Sequence, residues 1–374
     1  MSSPLLAEFL NLVKIDSPSG NERALANYVK EKLISLGWEV REDGAATATG
    51  GNAGNIIARL PGRGAEKNPV LLFSAHLDTV TSSAGVKPVV AEEVVRSDGR
   101  TILGADDKAG VAVLLEVARR LREGDVRHGE IVFLFTVGEE AGLLGSRFLK
   151  PGDVKADMGF VLDSGGPPGT IINAAPREDI WKVRIRGRSA HAGVNPEEGI
   201  NAIRVAAEFV RLLPPARVDG DTTFNPGVIR GGQATNIVPD LVEIAGDMRS
   251  HREEKLGELA EVVNLLLRQT CARFGGEGEI EVETLYPSYH LSPEAPPVKL
   301  ATVAAEQVGL EVVVKRRGGG SDANVLNALG IPTVNLGIGL EKEHTPEEYI
   351  RIKDWENCYF WVMEIISYLC QPGF

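Results

Sequence analysis

The sequence predicts an α/β fold: a mostly parallel or mixed sheet with helices on both sides, interrupted by a smaller α+β unit. Three observations predict it. Strand-like and helix-like patterns alternate through the first part of the 374-residue chain. Two of the strands, "GEIVFLFTV" and "MGFVLDS", are apolar with almost no break, the mark of a strand covered on both faces. From about residue 177 to about 288 the pattern becomes amphipathic, and the α/β alternation then returns.

Taken in order, "NERALANYVKEKLISLGWEV" places Leu25, Tyr28, Val29, Leu33 and Leu36 at helical spacing, with Gly37 as its C-cap. "GNIIARL" and Val70–Ala75 follow as strands. "VVAEEVVRSDGRTILG" reads as a hairpin turning at Asp98-Gly99, a dipeptide that reaches positive φ at little cost. A helix in "DKAGVAVLLEVARRLREG" leads to the two apolar strands. In the middle segment "DIWKVRIRGRSAH" alternates as a strand and "GINAIRVAAEFVRLL" repeats as a helix. "PGVIRGGQATNIVPDLVEIAGDMRSH" holds two strands and "EEKLGELAEVVNLLLRQTCARF" an amphipathic helix. This β-α-β-β-α-β order resembles a ferredoxin-like sandwich. Helix "VKLATVAAEQVGL", strand "EVVVK", a glycine cluster and strand "IPTVNLGI" complete the α/β part.

Composition narrows the function. A formal net charge of -12 and a pI near 5.2 repel phosphate backbones and anionic lipid, so neither nucleic acid nor a membrane is an expected partner. No run of eighteen apolar residues occurs, and the N-terminus lacks the basic n-region of a signal peptide. Three cysteines without CxxC spacing give neither a disulfide framework nor a thiolate zinc site, and cytoplasm is the expected compartment.

Chemistry gathers at strand ends. In "NPVLLFSAHLDTV" an apolar strand finishes on His76 and Asp78, which share a face because strand side chains alternate. Asp106 and Asp107 in "LGADDKAG", Glu139 and Glu140 in "TVGEEAGLLG" and Asp163 in "FVLDSGG" hold comparable positions. Ligands of open α/β sheets bind beyond the carboxyl ends of strands, so these groups can converge. Singly each has a plain structural reading: a hydrogen-bonded histidine, acids favoured at a helix start, an exposed turn. Together, several carboxylates in one cleft repel each other unless cations sit among them, and with histidine they suit zinc, cobalt or manganese. Adjacent acids also permit one to ligate while the other moves a proton.

The motifs "HLDTV", "GADDKAG", "GEEAGLLGS", "LDSGG", "GRSAHAG", "DMRSH", "GGGSDANVL" and "EHTPEE" stand in an order that resembles the M20 metallopeptidases along nearly the whole chain, most of all the peptidase T-like branch. The resemblance implies a zinc-peptidase catalytic domain carrying two divalent ions, usually zinc. Asp106 would bridge them, His76 and Asp163 would complete one site, and Glu140 and His344 the other. Glu139 would be the general base, and Asp78 the carboxylate that orients His76. The Asp106-Asp107 peptide would be cis. His191, Asn236 and Arg249 of the inserted unit, with Gly319, Gly320 and Asp322 of the glycine cluster, would contact substrate. Residues 1–176 and 289–374 would then form one discontinuous catalytic domain, and 177–288 a lid that also offers a homodimer contact, with hinges near 176 and 289. The expected substrate is a short peptide cleaved at its N-terminal residue. An N-acyl-amino-acid amidohydrolase or carboxypeptidase, a two-metal phosphoesterase and a non-catalytic peptide-binding relative stand as alternatives.

Overall fold

The computed structural model describes residues 3–371, which divide into two compact units. One comprises the chain up to Ala175, His290–Arg317 and the chain from Ser321; the other comprises Pro176–Tyr289 with Gly318–Gly320. Those three glycines, placed with the first unit by the sequence reading, pack with the second because they have no side chains. A Cβ on Gly320 would run into the Tyr286 ring, and one on Gly319 would touch Arg249.

The first unit is built on a mixed sheet. Along its main path the strands run in the order Glu39–Glu42, Ile56–Leu60, Ile131–Thr136, Leu71–His76, Met158–Gly165, Thr333–Glu341, Tyr349–Arg351, Val94–Arg96 and Val89–Ala91, while Thr170–Ala175 branches off to pair with both Thr333–Glu341 and Val313–Arg316. The four in the middle, from Ile131–Thr136 to Thr333–Glu341, are parallel, and their neighbours on either side are antiparallel. Leu71–His76 and Ile131–Thr136 are buried at every position, as strands covered on both faces must be. The helix Ala105–Glu123 packs with the terminal helices Pro4–Leu12 and Ile352–Tyr368: Trp355 meets Phe9 at 4.9 Å between ring centroids, and its Nε1 donates to the Ala109 carbonyl at 3.0 Å. Both terminal helices escape the sequence reading, although Trp355, Cys358, Trp361, Val362, Ile365 and Ile366 mark a buried helical face.

The hairpin turns at a different place from the one expected. Ala91 pairs with Val94, leaving Glu92 and Glu93 as the turn, both at positive φ (52° and 65°). Two-residue loops favour this left-handed geometry because it matches strand twist. Asp98-Gly99 makes a separate turn, with the Gly99 N–H donated to Ser97 Oγ at 3.0 Å.

The second unit has strands Arg177–Arg186, Thr222–Gly231, Leu241–Ser250 and Glu277–Tyr286 with helices Ala202–Leu212 and Glu253–Phe274. Numbered by sequence, its antiparallel strands lie in the spatial order 2-3-1-4. Alternate residues Trp181, Val183 and Ile185 enter its core, where Trp181 stacks on Phe224 at 5.0 Å.

Candidate metal centre

The parallel strands end at one edge of the first unit's sheet, and the acids and imidazoles gather there. His76 closes its strand opposite Thr136, and Glu139 and Glu140 follow just beyond Thr136. Asp163 lies in Met158–Gly165, and His344 follows Thr333–Glu341. Asp106 and Asp107 open the helix Ala105–Glu123 in non-helical conformations, joined by a cis peptide. This helix can approach the sheet because residue 110 is glycine: a Cβ there would lie 2.5 Å from both Asp107 Oδ1 and the Leu162 carbonyl oxygen.

Asp106 turns one oxygen to each imidazole. His76 Nε2 lies 3.0 Å from Asp106 Oδ1 and 3.6 Å from Asp163 Oδ1. His344 Nε2 lies 3.2 Å from Asp106 Oδ2 and 2.9 Å from Glu140 Oε1. His76 Nδ1 is 2.9 Å from the Asp78 carbonyl oxygen, which can only accept, so Nδ1 carries a proton and Nε2 is the atom left for a cation.

The Asp78 carboxylate does something the sequence reading does not foresee. It stands 3.5 Å from His76 Nδ1, while its two oxygens accept the N–H groups of Glu139 (2.9 Å) and Glu140 (3.1 Å). Ser19 donates to it at 2.6 Å. Glu22, also buried, accepts the preceding N–H, that of Gly138, at 3.1 Å. Three consecutive amides are thus held by two carboxylates, with Gly138 at φ 61°, a left-handed value that glycine adopts freely. Glu139 projects from a loop fixed at its backbone.

The donor set fits divalent metal. A tetrahedral zinc ion with bonds of about 2.0–2.1 Å sets neighbouring donors about 3.3 Å apart, and the imidazole-to-carboxylate spacings of 2.9, 3.0, 3.2 and 3.6 Å bracket that value. Glu140 Oε1 is buried and, although close to His344, not aligned for a hydrogen bond, so a cation would satisfy it. Asp107 is also near His76 and Asp163. Its oxygens, however, accept the N–H groups of His76 and Gly110, each at 3.1 Å, so it ties the strand end to the helix start.

Electrostatics agrees. Burial, and then the Asp163 charge, push Glu139 well above the usual carboxylate range. Burial also raises Glu140, against the opposing contact with His344. Asp106 is held low by His344 and His76 although burial opposes this. Contacts with Asp106 and Glu140 lift His344 to about 10. His76 is raised by Asp106, Asp163 and Asp78, with burial pulling the other way. Among the described residues, the Asp106, Glu140 and Asp163 carboxylates meet imidazoles and no lysine or arginine.

Residues 72–367 match the family described as Peptidase family M20/M25/M40. The chain belongs to that family. It is 41% identical over 363 residues, 97% of each chain, to the uncharacterized protein YqjE of Bacillus subtilis. Among solved structures it is similar to aminopeptidase PepT of Bacillus cereus, at 40% identity and TM-score 0.89 with 98% of each chain covered. It is also similar to a tripeptidase of Staphylococcus aureus, at 39% identity and TM-score 0.92, covering 98% of this chain and 97% of that one. This M20 member is accordingly a metal-dependent hydrolase of peptide bonds.

The remaining expected residues of the M20 chain fall into separate groups. Asp322 is buried in the first unit beside the acids, accepting from Thr136 Oγ1 at 2.5 Å. In the second unit His191 and Asn236 adjoin: residue 191 bridges Ile237, and the Ala192 N–H donates to the Asn236 carbonyl at 3.0 Å. Arg249 lies beside Gly319 and is engaged by Glu178 and Asp247, each at 3.0 Å, so it makes salt bridges within its own unit. Glu22, Ser19 and Glu348 hold loops of the centre, and sequence reasoning gives none of them a role. Glu348 does lie within the quoted "EHTPEE", but a lone acid after a ligand carries no signal of what it accepts.

Proposed function

We propose that this M20 peptidase releases the N-terminal residue of short peptides, as a tripeptidase, with two zinc ions that cobalt or manganese can replace. His76 and Asp163 would hold one ion, His344 and Glu140 the other, and Asp106 both. The observation that carries this reading is the Asp106 carboxylate with one oxygen on each imidazole. Bound divalent ions supply Lewis acidity to the attacking water and the scissile carbonyl. Glu139 takes the proton from that water and returns it to the leaving amine, a task suited to a carboxylate whose affinity for protons burial has raised. Asp78 and Glu22 keep Glu139 in place through its own and neighbouring N–H groups. Arg249, with His191, Asn236, Gly319, Gly320 and Asp322, would contact the peptide, the guanidinium taking its carboxylate.

Residues 177–288 would serve as a lid and as a homodimer surface, and the edge strand Thr222–Gly231, which exposes Val228 and Ile229, supports the latter. The free thiols of Cys271, Cys358 and Cys370 support a cytoplasmic location.

The test is to load metal-free protein with zinc, cobalt or manganese and supply tripeptides, N-acetylated amino acids and p-nitrophenyl phosphate, identifying products by mass. Release of the N-terminal residue from tripeptides is expected. Exclusive cleavage of the acetylated amino acids would replace this reading with an amidohydrolase, and phosphate release alone would replace it with a phosphoesterase.

A further inference from the structure

His344 is the least protected member of the donor set. Its side chain is 49% exposed, and its backbone takes φ 64°, in the left-handed region that residues with a Cβ seldom adopt. His76, by contrast, is fixed by a buried strand and by Asp107. Something must hold the His344 loop in register with Asp106. The loop's own contacts on the exposed side are slight: Thr345 Oγ1 donates to the Lys342 carbonyl at 2.8 Å, and Ser97 Oγ reaches the Pro346 carbonyl only at 3.3 Å.

The buried contact is Glu348. This residue is 1% exposed, and its N–H closes a turn onto the Thr345 carbonyl at 3.1 Å. Its carboxylate spans the segment that leads into Asp106: Oε2 accepts the Gly104 N–H at 2.7 Å and Oε1 accepts the Asp106 N–H at 2.9 Å. These amides have no helical partner, because Gly104 takes φ 73° and Asp106 is non-helical. A carboxylate accepting two buried N–H groups makes strong, directional bonds. We infer that Glu348 is a positioning residue that locks the His344 loop to the backbone of Asp106 and so sets the spacing of one of the two metal sites, the one that His344 and Glu140 complete. The inference rests on the two-ion reading above. The other site keeps its own supports, the His76 N–H to Asp107 and the Asp163 N–H to Asn335 Oδ1 at 3.2 Å.

The experiment is calorimetric titration of zinc, against a competing chelator, into the metal-free full chain for wild type, Glu348→Ala and Glu348→Gln, with thermal unfolding of each metal-free protein alongside. Glu348→Ala should weaken one ion about 10-fold to 100-fold, the usual cost of losing a group that supports a ligand, and leave the other within about threefold. Glu348→Gln keeps one oxygen acceptor but turns an amide NH₂ toward the second N–H, so its loss should be smaller and at the same ion. It also decides the matter if the alanine variant does not fold. Equal weakening at both ions, or lower thermal stability with both affinities intact, would reduce Glu348 to a general structural role and overturn the inference. Wild type that takes up fewer than two ions would instead defeat the two-ion reading itself, a result distinguishable from the first because it needs no variant.

Discussion

The two units keep their acids in opposite ways. In the second unit, carboxylates are matched by arginines of the same unit: Arg177 with Asp179 at 2.7 Å, Arg184 with Glu243 at 2.9 Å, Arg252 with Asp219 at 2.9 Å, and Arg249 with both Glu178 and Asp247. In the first unit the acids around His76 are buried or nearly so, and they meet backbone amides, neutral side chains and two imidazoles. Burying charge without a partner costs several kcal/mol, so groups in that state change protonation or bind cations. These acids of the second unit find their cations within the polypeptide; those at the centre of the first would find theirs in bound metal.

The strongest way to break that comparison is Glu139→Gln. It removes a carboxylate whose proposed place in the reaction is proton transfer and leaves the five proposed ligands intact. The turnover of metal-loaded protein should fall about 10²-fold to 10⁴-fold, the range for a general acid-base group, with metal content by atomic spectroscopy unchanged. Near-full activity would remove Glu139 from the mechanism, and lost metal would make it a ligand.

Metal removal sharpens the comparison next. A ligand at a hundred times its dissociation constant stabilises the state that binds it by about 2.7 kcal/mol, a factor of about 100. Hydrogen exchange on chelation should therefore accelerate by up to about 100-fold at the Gly138–Glu140 amides that Asp78 and Glu22 hold. Exchange should stay unchanged in Leu241–Ser250 of the second unit. Equal acceleration in both units would mean that the metal stabilises the chain globally.

What was legible in the sequence divides along the same line. His76, Glu139, Glu140 and Asp163 could be read because each stands in or just after an apolar strand, and strand ends of an α/β sheet meet at one edge. The second unit's element order could be read because its strands alternate and its helices are amphipathic. The work of Asp78 could not, since its partners are the N–H groups of residues 139 and 140, and backbone donors leave no trace in residue type. The same holds for Glu22 and Glu348. The hairpin turn was misplaced because Asp98-Gly99 has the better turn chemistry, whereas pairing of Ala91 with Val94 decided the register.

Arg249 tests whether the second unit's pairing is its whole purpose. Its Nε and one Nη are taken by Asp247 and Glu178, and the other Nη faces Gly319. With a substrate carboxylate as a further partner, Arg249→Ala should raise KM roughly tenfold, the scale of a hydrogen bond to a charged group, and this rise should vanish for peptides amidated at the C-terminus. A KM that moves equally for acid and amide peptides would leave only the pairing with Glu178 and Asp247.

The smallest effect is expected where the first unit, away from its centre, manages an acid as the second unit does. Glu42 receives Arg23 at 2.5 Å, Lys30 at 2.7 Å and the Gly54 N–H at 3.0 Å. The hydrogen bond from Arg23, reinforced by Gly54 and Lys30 against partial burial, holds its carboxyl down to about 2 from 4.5. Both cations are partly exposed, so solvent screens the pairs, and Glu42→Gln should cost a few tenths to about 1 kcal/mol near neutral pH. The sign follows from the lowered folded value. The contribution is complete above about 4.5, where the unfolded carboxyl is also ionised, and drains away as pH falls toward about 2. Unfolding curves of wild type and variant should therefore converge across that interval, and added salt should narrow the gap at pH 7. A difference that persists at pH 2, or that widens on chelation, would show Glu42 coupled to the metal centre and would erase the distinction between paired and metal-dependent acids within the first unit.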